Sequence, residues 1–150
     1  MILYHLDKRK YRDVWPPEGT LHASGRWNKS GQWIIYTSPT IALAKLEILA
    51  NENNLPLKRV CMTIEVKEDA KIFKVTKEEL PDNWIDKPYP LYLVDYTIGF
   101  LESKCLLMSV PSAQSHRENN FLINVRHPDF SKKVKLLDVI EEPFDPRLRE

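Results

Sequence analysis

Glu47 is the position in this chain whose setting most suggests chemistry. It stands in the apolar run of residues 41–50, where Lys45 is the only other charged residue. In a helix turning about 100° per residue, Lys45 and Glu47 lie roughly 200° apart. Lys45 can then reach water, while Glu47 shares a face with Thr40, Leu43, Ala44 and Ala50. A carboxylate on an apolar face must be ion-paired, hydrogen-bonded or set at a cleft, because burying it alone is very costly. Periodicity leaves two readings open: a flank glutamate salt-bridged to a lysine, or a carboxylate facing a ligand.

Two segments ahead of it could serve such a ligand. Gly25-Arg26-Trp27-Asn28, followed by Gly31, has the composition of a gripping loop. Glycine lets the backbone come close to a ligand, and an arginine fork meets phosphate oxygens two at a time. The same residues also suit a plain β-turn with a surface arginine and a core tryptophan. Tyr36 closes the run Trp33-Ile34-Ile35-Tyr36-Thr37; its ring could stack on a flat ligand, or sit in the core with its hydroxyl satisfied. Far along the chain, Val110-Pro111-Ser112-Ala113 reads as a strand end entering a loop. With no G-x-S-x-G elbow in the sequence, Ser112 suits hydrogen bonding or a turn better than nucleophilic attack.

The elements that must carry these residues follow from pattern. Residues 1–6 suit a first strand, and the prolines of Trp15-Pro16-Pro17-Glu18-Gly19 impose a loop. Residues 33–37 are rich in β-branched and aromatic side chains, as strands are. Ser38 and Pro39 suit the N-cap and first position of a helix running to 51. In residues 59–66 the alternation puts Val60, Met62, Ile64 and Val66 on one strand face. Residues 72–75, 105–110, 121–125 and 134–140 read as further strands, and Thr76 with Glu79 suits a capping box over 76–82. No βαβ rhythm links them, which predicts α+β rather than a doubly wound fold.

Bulk properties narrow the classes. A chain of 150 residues suits a single domain spanning 1–150 with a real core. Lys and Arg number 22 against 21 Asp and Glu, giving a formal net charge of +1 and no basic surface of the kind nucleic-acid binders carry. Cys61 and Cys105 stand in apolar or alternating runs suited to free thiols, and the histidines at 5, 22, 116 and 127 are too scattered for a metal site. Neither a leader-like apolar stretch nor a membrane-length run occurs, so a cytoplasmic protein without membrane contact is expected.

Taken jointly, the segments resemble the RES domain family, named for its Arg, Glu and Ser residues. They are Gly-Arg-Trp-Asn at 25–28, Ile-Tyr-Thr-Ser at 35–38, Ala-Leu-Ala-Lys-Leu-Glu at 42–47 and Val-Pro-Ser-Ala at 110–113. Asn120 to Asn124, then His127-Pro128 and Phe144-Asp145-Pro146-Arg147-Leu148, complete the pattern over about residues 2–148. The chain departs from it at His5, where an arginine often follows the first-strand tyrosine, and at Val125, where proline is common.

The resemblance implies a fold similar to ADP-ribosyltransferases: a split, mainly antiparallel sheet with a few flanking helices around an NAD⁺ cleft. It implies a toxin whose partner is an antitoxin with an Xre-like DNA-binding domain, which occludes that cleft. Such toxins cleave NAD⁺ at the nicotinamide–ribose bond and pass ADP-ribose to phosphate, to water or, in one proposal, to a protein. NAD⁺ is thus substrate rather than cofactor, with inorganic phosphate as co-substrate in the phosphorolytic case. Carried over by motif, Arg26, Tyr36 and Glu47 would be catalytic, and Arg26, Trp27, Asn28, Tyr36, Ser112 and Asn124 would bind substrate. A ribonuclease toxin and a non-catalytic binding module are the alternatives from other classes.

Overall fold

The structure, a computed structural model, describes residues 1–149. Seven strands and four short or medium helices follow in the order β1 (Ile2–Lys8), α1 (Gly19–His22), β2 (Ile34–Thr37), α2 (Ile41–Asn51), β3 (Arg59–Val66), β4 (Ile72–Lys74), α3 (Leu93–Glu102), β5 (Leu107–Pro111), β6 (Asn119–Asn124), α4 (Phe130–Lys133) and β7 (Val134–Glu141). The strands form two sheets, β1-β3-β7 and β2-β6-β5-β4. Every pairing is antiparallel except β4 with β5. The expected α+β class with a split, mainly antiparallel sheet is therefore observed. No helix among the described residues is long and apolar enough to cross a membrane.

The two sheets pack face to face. Leu3, Met62, Ile64 and Val66 of one meet Ile35, Leu107 and Ile123 of the other in a buried cluster. The outer face of the four-stranded sheet, with Ile34, Met108 and Leu122, is covered by Leu93 and Phe100 of α3 and by Trp27 and Trp84. The outer face of the three-stranded sheet offers Leu6 and Cys61 to Ala44 of α2 and to Phe144. Val60, Met62, Ile64 and Val66 are wholly buried on the central strand β3, as their alternation suggests.

A single bridge stitches the sheets together. Tyr4 N–H donates to Ser38 C=O at 2.8 Å, and Ser38 N–H donates to Tyr4 C=O at 2.9 Å. This pairing corrects the expected helix start. Ser38 is held in extended backbone by the bridge, so α2 begins at Ile41 with Thr40 as its cap, whose Oγ1 accepts Leu43 N–H at 3.1 Å. The helix face also differs from expectation at its ends: Leu43 and Ala44 are buried, but Thr40 and Ala50 are exposed. The capping box at 76–82 shrinks to a 3₁₀ turn over Lys77–Glu79, with Thr76 bonded to the Glu79 side chain and not to backbone.

Helix α3 has no counterpart in the pattern-based reading. Its residues include Val94, Tyr96, Thr97 and Gly99, all modest or poor helix formers. Burial of Leu93, Thr97 and Phe100, which repeat at helical spacing, supplies what propensity lacks. Phe100→Ala should therefore lower stability by about 3–5 kcal/mol, the usual cost of emptying an aromatic core site. Urea titration followed by near-UV circular dichroism measures this, and a loss under about 1 kcal/mol would mean that α3 does not depend on that packing.

Candidate active site

The split between the sheets opens a cleft of about 340 Å³, lined by Arg26, Tyr36, Glu47, His5, Tyr89 and Asn120 among others. Glu47 sits on α2, and its carboxylate is gripped from the far sheet. Oε1 accepts Ser112 Oγ–H at 2.6 Å and Asn120 Nδ2–H at 2.9 Å. Ser112 follows the end of β5 and Asn120 lies near the start of β6, beside each other because Val110 registers with Asn120. Both donors are themselves fixed. Ser112 Oγ accepts the N–H groups of Gln114 and Ser115, and Asn120 Oδ1 accepts Ser38 Oγ–H at 2.7 Å.

Glu47 therefore is not the flank glutamate of a lysine salt bridge. Lys45 points elsewhere, to Glu142 at 2.7 Å and to Pro143 C=O at 3.0 Å. Glu47 Oε2 accepts no hydrogen bond among the described residues, which leaves a carboxylate oxygen for the cleft.

Tyr36 proves to be a structural keystone. Its hydroxyl accepts Trp27 N–H at 3.1 Å and donates to Asn28 Oδ1 at 2.8 Å, so only the ring is left for the cleft. Burial pushes the phenol pKa far above its ordinary value, and the hydroxyl is no base at neutral pH. Gly25 is required where the loop closes over this hydroxyl: a Cβ there would lie 2.9 Å from Tyr36 Oη and 3.0 Å from Asn28 Oδ1. Thr97 on α3 donates its hydroxyl to Trp27 C=O, tying the loop to the unforeseen helix.

Arg26 rises from this knotted loop. Nη1 donates to the carbonyls of Trp84 at 2.6 Å and Asp86 at 3.3 Å, and Nη2 donates to Ile85 C=O at 3.3 Å. The guanidinium also lies 4.6 Å from the Tyr89 ring centroid. Of its five N–H donors, Nε–H and one Nη2–H keep no acceptor among the described residues. Those two form the side-on edge that meets paired oxygens of a phosphate or carboxylate. Burial lowers the guanidinium pKa, while Tyr89 and Glu47 oppose that shift; the group stays charged at neutral pH.

Of the residues singled out from sequence, Arg26, Trp27, Tyr36 and Glu47 line one cleft. Asn28 and Ser112 stand behind it, 1% and 0% exposed, and hold Tyr36 and Glu47 in place of substrate. Asn124 is a correction: it lies at the opposite end of β6, in the wall of another cavity, because four residue steps along the strand place it roughly 13 Å from Asn120. Sequence reasoning missed Asn120, Ser38 and Tyr89. Asn120 was visible as a polar start to an apolar strand; Tyr89 carries no local signal. His5 lines the cleft and donates Nδ1–H to Tyr36 C=O at 2.7 Å.

Tyr36→Phe should cost about 1–3 kcal/mol, since it strands Trp27 N–H and Asn28 Oδ1 without a partner. The pH dependence has a definite sign. Above about pH 10 an exposed phenol in the unfolded chain ionises while the folded Tyr36 stays neutral, so its contribution to stability falls as pH rises. Urea titrations near pH 8 and near pH 10.5 should show the wild-type advantage over Tyr36→Phe shrinking at the higher pH; a growing advantage would contradict the buried, neutral phenol.

Comparison with known proteins agrees along nearly the whole chain. A toxin named Toxin Res from Yersinia enterocolitica is 33% identical, over 99% of this chain and all of its own length. The Prs ADP-ribosylating toxin of a Sphingobium species is 34% identical over 95% of this chain and 91% of its own length. In the crystal structure of the M. tuberculosis MbcT–MbcA toxin–antitoxin complex, one chain matches with a TM-score of 0.70 at 16% identity, covering 98% of this chain and 85% of that one. The sequence model of the RES domain matches residues 2–146, and the chain belongs to the RES domain family.

Proposed function

We propose that this protein is the toxin of a toxin–antitoxin pair and that it destroys NAD⁺ at the nicotinamide–ribose bond. The observation that carries the reading is the Glu47 carboxylate, held on one oxygen by Ser112 and Asn120 and open on the other to the cleft that Arg26 also lines. Cleaving that bond moves its electron pair onto the ring nitrogen of the nicotinamide, which leaves neutral. Positive charge then develops on the ribose, and a fixed carboxylate beside it stabilises the oxocarbenium-like transition state. No strong general acid is needed, which suits a site whose tyrosine cannot give up its proton.

The open edge of Arg26 would take the pyrophosphate, or a phosphate ion arriving as nucleophile. The ring of Tyr36 forms a wall for the nicotinamide-ribose end. An oxygen of phosphate or water then bonds to the anomeric carbon, and in the hydrolytic case the proton of the water passes to solvent. NAD⁺ is substrate throughout, so the lack of a G-x-G-x-x-G fingerprint is no obstacle. The site would act in the cytoplasm, where NAD⁺ is plentiful. Control would come from an antitoxin with an Xre-like domain, one segment of which enters the cleft and competes for Arg26. The toxin–antitoxin complex among the similar structures supports an antitoxin as partner.

A second reading, ADP-ribosyl transfer to a protein, is supported by the name of the Sphingobium relative. Mass analysis of products from purified protein and NAD⁺, with and without phosphate, separates the two. Free nicotinamide with ADP-ribose or its phosphate ester fits the main reading; label on a macromolecule fits the other. Unchanged NAD⁺, or cleaved RNA in its place, overturns both.

Glu47→Gln should keep the fold yet cut NAD⁺ loss at least about a hundredfold, the usual scale for removing a fixed group opposite developing charge. Undiminished turnover would remove Glu47 from the chemistry. Arg26→Lys keeps the charge but loses the planar fork and the stack on Tyr89. A drop in kcat/KM corresponding to about 1.5–3 kcal/mol is expected, and wild-type kinetics would place Arg26 outside the substrate's reach.

A further inference from the structure

Asn124, drawn from the same strand as the Glu47 donor Asn120, serves a different space. A cavity of about 740 Å³ opens between the turn after β6 and the segment joining α3 to β5, and Asn124 forms part of its wall. The residue is 7% exposed. Its Oδ1 accepts Arg126 N–H at 3.1 Å, which fixes the amide orientation. Nδ2 is left facing the cavity with two protons and no acceptor among the described residues. The donor reaches the solvent of the cavity, where water or a ligand can meet it.

The rest of the cavity suits a ligand that is anionic at one end and apolar at the other. Trp33 and Leu106 supply apolar wall, with the Arg126 guanidinium 5.9 Å from the Trp33 ring. His127 makes the wall rigid: Nδ1 accepts Asp129 N–H at 2.9 Å and Nε2–H donates to Lys104 C=O at 3.0 Å. Four cations line the space, Lys71, Lys104, Arg126 and Lys133, against Asp129 as the only acid. Lys133 reaches Asp69 and Asp129 at 3.6 and 3.9 Å, whereas Lys71 and Lys104 pair with no carboxylate among the described residues.

We infer that this cavity is a second ligand site, separate from the Glu47 cleft, for a small phosphate-bearing molecule of mononucleotide size. The phosphate would meet Asn124 Nδ2–H, Lys71 and Lys104, and the base would lie against Trp33.

The test is a ¹⁵N–¹H correlation titration of the full chain with AMP, inorganic phosphate and adenosine. AMP should shift the Asn124 side-chain amide and the Trp33 indole signals; adenosine should not. A stronger response to AMP than to phosphate is expected, and an equal response to inorganic phosphate would overturn the mononucleotide and leave a site for the free anion. The K71E/K104E double variant should weaken AMP binding at those signals at least tenfold; if it loses its dispersed spectrum, K71Q/K104Q serves instead. The inference fails if the Asn124 signal stays still at millimolar AMP, if AMP moves only the loop around Arg26, or if the double variant binds as tightly as wild type.

Discussion

A carboxylate set on a mostly apolar helix needs donors, and at Glu47 they come from residues 65 and 73 positions further along the chain. The arrangement around the cleft follows from that requirement. Strands β5 and β6 must pair in register for Ser112 and Asn120 to stand together, and β2 must pair with β6 for Ser38 to hold Asn120. Since Ser38 also bridges to Tyr4, the same residue fixes the Glu47 donor and joins the two sheets. Neutral donors on one oxygen hold the carboxylate without quenching its charge, as a lysine would.

The opposite wall depends on a tyrosine hydroxyl used as a structural post. Tyr36 holds the Gly25–Asn28 loop through Trp27 N–H and Asn28, and Thr97 holds the same loop from α3. That leaves Arg26 as the one long polar side chain of the loop free to extend. A collar of three carbonyls from residues 84–86 and the Tyr89 ring then fix one edge of its guanidinium. Pre-orientation of this sort reduces the entropy lost on binding, since Arg otherwise gives up much rotamer freedom.

Strand β6 carries an asparagine near each end, one at the cleft and one at the larger cavity. Larger volume does not mark the candidate active site here. The smaller space is lined by the Glu47 carboxylate and the Arg26 guanidinium, whereas the larger is lined by four cations, the Asp129 carboxylate and apolar groups. A fixed carboxylate suits bond cleavage with positive charge developing beside it; an excess of cations suits retention of an anion.

The sequence alone determined the α+β class, most strand positions, and the loop, tyrosine and glutamate that share the cleft. Class and strands are local matters of alternation and of proline and glycine placement, whereas the shared cleft was implied by the family resemblance, periodicity having left Glu47 open between a flank salt bridge and a ligand. Tertiary structure decided the rest. It turned Ser38 from a helix cap into a bridge residue, because a strand partner offered its backbone two hydrogen bonds. It made α3 from residues of weak propensity, through burial of Leu93, Thr97 and Phe100. It moved Ser112 and Asn28 behind the site and Asn124 away from it, since a side chain's direction depends on register and on which strands adjoin. Residue types reveal what chemistry is available, but only pairing between distant segments decides which atom of Glu47 is held and which is free.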